Sequence, residues 1–291
     1  MTYATAPHGA LITVLMPLRN YERAFLFKAL HSLTAQSCPD WRLLIIVEPE
    51  DRARFEHLLE DELADARCRL IVNEGRKLSG ALNTGMRQAE TPFAAILLAD
   101  DMWAPNATEV LASRIRLYPD ADFFHSSRVI IDENERPISG VYPSRETFEM
   151  KDFMLASPVK HLLCWRRELA LSFGGMDESL NNVGPDDYDF PWTMAEHGAR
   201  FHAIPEALYL YRDHRDAERL TTHLPLSVHL KEIRRILRKH GASRGEMKAM
   251  LARAKSSYLR QCLYRNRADK WLKELIGHEA RRGWKETYPT S

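Results

Sequence analysis

With 291 residues, 45% of them apolar and 28% charged, the chain has the composition of a folded globular protein of one large domain or two small ones, which excludes disordered and fibrous classes. The formal net charge of +1 conceals an asymmetry: residues 225–291 carry 17 Lys and Arg against 6 Asp and Glu, a net of +11 that leaves −10 for residues 1–224. The body is acidic and the tail basic, so the tail reads as a unit of separate character.

The first hundred residues alternate between strand and helix. Leu11–Met16 is β-branched and apolar without polar alternation, which suits a strand buried on both faces, and Pro17 is expected to end it. Phe25–Gln36 carries Phe25, Ala29, Leu30 and Leu33 at helical spacing. Trp41–Val47 reads as a second buried strand, followed by a charged helix over Glu50–Leu63. Arg69–Val72 is a short third strand, Ser79–Ala89 a third helix, and Phe93–Ala99 a fourth strand that stops at Asp100-Asp101. This rhythm predicts an α/β fold on a mostly parallel sheet with right-handed crossovers. Beyond it come a helix over Ala107–Leu117, a strand over Asp122–Ile131 and a polar turn at Asp132–Arg136. Residues 140–165 show little periodicity and are expected to be loop-rich. Phe173–Glu178 reads as a turn, Asp187–His197 as a helix, and Ala207–Tyr211 as a short strand. From Pro225 onward the pattern is helical, with Val228, Ile233, Ile236 and Leu237 in one apolar stripe and Met247, Met250, Leu251, Tyr258 and Leu259 in another.

The 4 cysteines are widely spaced, without a C-x-x-C pair or an adjacent His cluster, so they read as reduced thiols rather than a zinc site or disulfide framework. Met1–Ala10 has no basic segment followed by a long apolar run, and the longest apolar stretches, Leu11–Leu18 and Phe93–Ala99, are far short of the roughly 20 residues that span a bilayer. The expected location is the cytoplasm.

Ligands of an open parallel sheet bind beyond the carboxyl ends of its strands. Those ends carry Pro17–Asn20, Glu48, Asn73–Lys77 and Asp100-Asp101. Two adjacent acids after an apolar strand need positive compensation, and hard oxygen ligands suit magnesium or manganese; an Asp at this junction can equally cap the following helix. In Gly184-Pro-Asp-Asp-Tyr-Asp189, three carboxylates at a helix start could complement its dipole or supply a general base. His214 is either a further metal ligand or an ordinary surface histidine.

Taken in order, these pieces resemble the inverting family 2 glycosyltransferases, which have the GT-A fold. Ile12–Asn20 resembles the family's opening strand and base-binding loop. His31-Ser-Leu-Thr-Ala-Gln36 and Pro39–Val47 match its Ser-x-x-x-Gln helix end and second strand. Leu78-Ser-Gly-Ala-Leu-Asn-Thr-Gly85 is similar to its Ala-x-Asn-x-Gly helix. Leu97–Trp103 falls where the metal-binding Asp motif belongs, and Phe173–Glu178, Asp186–Asp189 and Tyr211–His214 complete the series. The resemblance covers roughly residues 10–215.

It implies a GT-A transferase domain over residues 1–224 and a basic helical extension over 225–291. Pro17, Arg19, Glu48, Lys77, Asn83 and Asp100 would surround a nucleotide sugar, with a UDP-sugar favoured; Glu48 would meet the base and Asp100 the ribose or metal. Asp101 and His214 would hold Mn2+ or Mg2+ at the diphosphate. Asp187 would be the catalytic base, with Asp186 in the place of the motif's Glu. The acceptor would be a glycan or lipid-linked hydroxyl. Two departures weaken particular contacts: the usual Asp-Asp-Gly-Ser after the second strand is Glu48-Pro-Glu-Asp51, and the first Asp of the fuller Asp-x-Asp-Asp motif is Leu98. The Gln-x-x-Arg-Trp motif of processive synthases is absent, which implies single addition. A nucleotidyltransferase would carry a Gly-rich basic loop after the first strand, which Pro17–Asn20 is not. A non-catalytic nucleotide-sugar-binding module would not need Asp100, Asp101, Asp187 and His214 together. The basic tail has no nucleic-acid recognition motif; its expected roles are peripheral contact with an anionic membrane, packing on the body, or homodimer formation.

Overall fold

The structure, a computed structural model, describes residues 9–19, 21–154, 157–159, 161–180, 186–213 and 225–265. His214 and residues 266–291, part of the expected tail, lie outside them.

Eight strands form one sheet: β1 (Ile12–Leu18), β2 (Trp41–Val47), β3 (Cys68–Val72), β4 (Phe93–Ile96), β5 (Met102–Trp103), β6 (Phe123–Ile131), β7 (Leu163–Arg166) and β8 (Phe201–Arg212), in the spatial order β3-β2-β1-β4-β7-β6-β8-β5. The β3-β2-β1-β4 half is parallel, as the alternating pattern predicts, and β6 also pairs with β8 in parallel. The antiparallel strand β7 joins the halves, and β5 pairs antiparallel with β8.

Each buried strand supplies two cores because successive side chains point to opposite faces. Ile12, Val14, Met16 and Leu18, with Trp41, Leu43, Ile45 and Val47, pack under α1 (Arg23–Thr34) and beside Phe55 and Leu111. Leu15, Leu44 and Ile46 belong to the other face, with Leu82, Met86, Trp165, Trp192, Ile233 and Ile236. That second core joins residues on either side of position 225, so the first helix of the basic extension packs into the same apolar layer as the sheet.

Several element boundaries differ from expectation for identifiable reasons. β1 continues through Pro17 because β4 pairs only as far as Leu15, so the missing Pro17 N–H faces no neighbour on that side. The charged helix breaks into Arg52–Leu58 (α2) and Glu60–Leu63 (α3) around Leu59. The expected short strand near Ala207 is twelve residues long, its start hidden by irregular register shifts between Ser126 and Arg128 on the partner strand. The loop-rich 140–165 region runs into β7, which is only four residues long with its first three residues buried, so it shows no period. Cys38, Cys68 and Cys164 carry free thiols. Among the described residues no helix is long and apolar enough to cross a membrane.

The helix α4 (Lys77–Gln88) lies against the sheet, and a Cβ at Gly85 would come within 2.8 Å of the Leu15 side chain. Further along are α5 (Ala107–Leu117), α6 (Met150–Phe153), α7 (Arg167–Ser172) and α8 (Asp186–Glu196), then α9 (Leu226–Lys239) and α10 (Arg244–Arg265).

Candidate active site

The carboxyl ends of β1 to β4 open onto a common rim. At the β2 end, Glu48 Oε1 accepts a 3.1 Å hydrogen bond from Asn73 Nδ2, and the same amide donates to the Lys77 carbonyl at 3.2 Å. One buried side chain thus joins Glu48 and Lys77, two of the residues expected around the nucleotide. Lys77 has φ +59°, a conformation that costs a non-glycine residue energy and persists only where its surroundings impose it. The loop before it passes so close to α4 that a Cβ on Gly80 would lie 2.5 Å from the Gly75 backbone. Pro17 is half-buried and Arg19 exposed at the β1 end.

Asn83, expected around the nucleotide, is held inside the fold. It is 5% exposed, and its amide is engaged with the Phe173–Glu178 turn: Nδ2 donates to Met176 O at 2.9 Å and Glu178 Oε1 at 3.0 Å, while Oδ1 accepts Met176 N–H at 2.8 Å. These bonds make Asn83 a brace between α4 and that turn. Glu178 completes it by accepting the Arg76 N–H at 3.0 Å, which ties the turn to the loop ahead of Lys77.

The acidic pair at the β4 end is asymmetric. Asp100 is half-buried, whereas Asp101 is 1% exposed. Tyr209 O–H donates to Asp101 Oδ2 at 2.7 Å, and the Arg212 backbone N–H donates to Oδ1 at 2.7 Å. Burial, and secondarily the neighbouring Asp100 charge, push the Asp101 carboxyl well above its ordinary range; burial and Asp101 push the Tyr209 phenol up as well. Asp101 is thus the structural anchor of the pair and Asp100 the accessible carboxylate, a reversal of the expected emphasis. Neither caps a helix: α5 begins at Ala107, with Asn106 before it. Arg212 reinforces the junction, its Nε donating to the Asp100 carbonyl at 2.8 Å and its guanidinium lying over the Phe25 ring.

Among the described residues no group of three or more His, Cys, Asp or Glu side chains could cage a metal ion. Magnesium-type sites commonly use one or two carboxylates and complete their shell with water and substrate phosphates, and Asp100 backed by Asp101 fits that donor chemistry.

The Asp186–Asp189 cluster resolves into unlike residues. Asp187, in the first turn of α8, has a side chain 54% exposed, with Oδ2 3.6 Å from His161 Nε2. Asp189 is 2% exposed and engaged inward. His161, half-buried, also packs its ring 5.2 Å from that of Tyr209, and its buried Nδ1 has no hydrogen-bond partner. The path from Asp187 to Asp101 therefore runs through two side chains, His161 and Tyr209. The aperiodic context of His161 concealed it from sequence reasoning, and Tyr209 and Arg212 were visible only as neighbours of His214. They stand three positions apart on β8, whose burial does not alternate, so no period-2 signal marks them.

Residues 13–164, just over half of the chain, match the sequence model described as glycosyl transferase family 2. The chain belongs to this family. It is 31% identical over 140 residues to the Escherichia coli enzyme WfgD, a UDP-Glc:alpha-D-GlcNAc-diphosphoundecaprenol beta-1,3-glucosyltransferase, a match covering 47% of this chain and 53% of WfgD. It is 26% identical to an uncharacterized glycosyltransferase of Methanocaldococcus jannaschii, over 69% of this chain and 70% of that one. The chain thus spans about half the length of WfgD. Among solved structures, Staphylococcus aureus TarS 1-349 in complex with UDP-GlcNAc superposes with a TM-score of 0.62 at 18% identity, over 86% of this chain and 71% of that one. The Pyrobaculum calidifontis mannosyltransferase PcManGT, in complex with GDP-Man and Mn2+, gives 0.55 at 18% identity over 98% and 77%. These likenesses establish the GT-A-type fold.

Proposed function

We propose that this chain is a glycosyltransferase that moves a sugar from a nucleotide-diphosphate donor, a UDP-sugar in preference, to an acceptor hydroxyl with inversion at the anomeric carbon. The observation that carries the reading is the link from Asp187 through His161 and Tyr209 to Asp101: an accessible carboxylate at a helix start lies two side chains from the acidic end of the sheet. Asp187 takes the proton from the attacking acceptor oxygen, and His161 limits the carboxylate's freedom from the side. Glu48, Lys77, Arg19 and Pro17 line the nucleotide end. Asp100, with Asp101 behind it and His214 as a further candidate outside the described residues, would hold Mn2+ or Mg2+. When bound, that cation neutralises charge on the diphosphate leaving group.

The resemblance to WfgD supports an acceptor that is a lipid-linked diphosphate glycan, in surface polysaccharide assembly. The exposed Lys231, Arg234, Arg238, Lys248, Arg253 and Lys255 on α9 and α10 are suited to an anionic cytoplasmic membrane face, where a basic residue contributes about 1 kcal/mol. UDP release from UDP-glucose and UDP-GlcNAc, with and without Mn2+, tests the reading. Release that needs the metal and falls in Asp187→Asn supports it; no release from either donor, with or without metal, refutes the UDP-sugar assignment.

A further inference from the structure

The first turn of α8 carries Asp187 but is poorly held by its own backbone. Pro191 lies inside this helix, so no N–H is available for the carbonyl four residues earlier, which is that of Asp187, and the proline ring crowds that same carbonyl. Something other than helical hydrogen bonding must fix this turn if its carboxylate is to meet a substrate reproducibly.

The holding contacts come from the end of α9. Lys239 Nζ donates to Asp189 Oδ2 at 2.7 Å, and His240 Nε2 lies 3.0 Å from Asp189 Oδ1. His240 Nδ1 is 2.8 Å from Glu196 Oε2, and the imidazole stacks on Trp192 with centroids 4.1 Å apart and planes 8° from parallel. Asp189, Trp192 and Glu196 stand at i, i+3 and i+7, one face of two helical turns. His240, its side chain wholly buried, lies along that face and reaches a carboxylate at each end. Lys239 also pairs with Asp177 at 3.4 Å, in the turn that Asn83 braces, and Arg235 donates to Ser179 O. The contacts are thereby referred back to α4 and the Lys77 loop.

We infer that Lys239 and His240 are positioning residues for the reaction: by gripping Asp189 they set the roll of the α8 first turn, and so the direction of Asp187, without touching substrate. This role rests on the reading of Asp187 as the base. It also gives the chain beyond residue 225 a part in the active site that is independent of any membrane.

The test compares Lys239→Met, Lys239→Arg and His240→Gln with wild type in the full chain. Backbone hydrogen exchange of residues 186–196, followed by mass spectrometry, is measured beside kcat and KM for UDP release from UDP-glucose and UDP-GlcNAc. Lys239→Met and His240→Gln should speed exchange in the first turn and lower kcat, on the order of 10²-fold for a misplacement near 1 Å, with donor KM unchanged. Lys239→Arg, which keeps the charge on Asp189, should retain most of kcat. Unchanged exchange across 186–196 in both Lys239→Met and His240→Gln overturns the inference, as does loss of melting temperature with unaltered kcat in the folded fraction. If wild type releases UDP from neither donor, the UDP-sugar reading fails, and the exchange measurement alone then decides whether α9 holds α8.

Discussion

Tyr209 donates its hydroxyl to Asp101 in a 2.7 Å hydrogen bond between two fully buried side chains, one near the end of the long strand β8 and the other directly before the short strand β5. That bond fixes where β8 meets the acidic end of β4. It also places the Tyr209 ring against His161, and through it near Asp187. Tyr209→Phe keeps the ring and leaves a buried carboxylate oxygen without this donor. The expected cost is about 1–3 kcal/mol of stability, measurable as a shift in the urea midpoint at unchanged slope.

The two aspartates should separate in mutagenesis. Asp101→Ala removes the acceptor for Tyr209 O–H and Arg212 N–H and leaves two buried donors unsatisfied; it should lower both the melting temperature and UDP binding in Mn2+. Asp100→Ala, at a half-buried position, should lower Mn2+-dependent UDP binding with little change in melting temperature. Calorimetry with UDP, with and without Mn2+, beside thermal melts of both variants, checks the division. Equal melting losses would contradict it.

Much of this arrangement was legible in the sequence where a pattern repeats. The unbroken apolar runs of β1 and β2 and the helical stripe of α1 predicted their elements to within about two residues. Glu48, Lys77 and Asp100-Asp101 followed from the rule that ligands gather at strand ends. What escaped was set by contacts distant in sequence. That Asn83 faces Met176 and Glu178, and that Asp101 is sealed by residues 108 and 111 positions away, depends on tertiary packing that no local period encodes. The Asp186–Asp189 run likewise looked uniform, yet burial divides it: Asp189 is turned toward Lys239 and His240, and Asp187 toward solvent and His161.

The close approach of Gly75 and Gly80 predicts a steric penalty. Gly80→Ala places a methyl 2.5 Å from the Gly75 backbone, which cannot swing aside as the Glu178 carboxylate 3.1 Å away can. The loop carrying Asn73 to Lys77 must shift, so UDP affinity should fall together with stability, by about 1–3 kcal/mol for the latter. An unaltered UDP affinity would detach this loop from the nucleotide site.

His229 gives a pH dependence of defined sign. Burial holds its imidazole below the ordinary histidine range, so the folded chain favours the neutral ring. Stability from this residue is complete above about pH 6.5, the unfolded value, and is lost as pH falls from there through the depressed folded value. His229→Leu should therefore lose less stability than wild type between about pH 7.5 and pH 5, as read from urea midpoints. Parallel losses would remove His229 as a source of acid sensitivity.

The central claim is that Asp187 accepts the acceptor's proton while the nucleotide is held elsewhere. The most direct measurement is UDP release from a UDP-sugar turned over by wild type, compared between wild type and Asp187→Asn, with the UDP dissociation constant determined for both. The amide keeps the size of the carboxylate and cannot take a proton, so kcat should fall on the order of 10²–10⁴-fold with UDP affinity unchanged. A kcat within a few-fold of wild type, or a loss explained entirely by weaker UDP binding, would contradict the account.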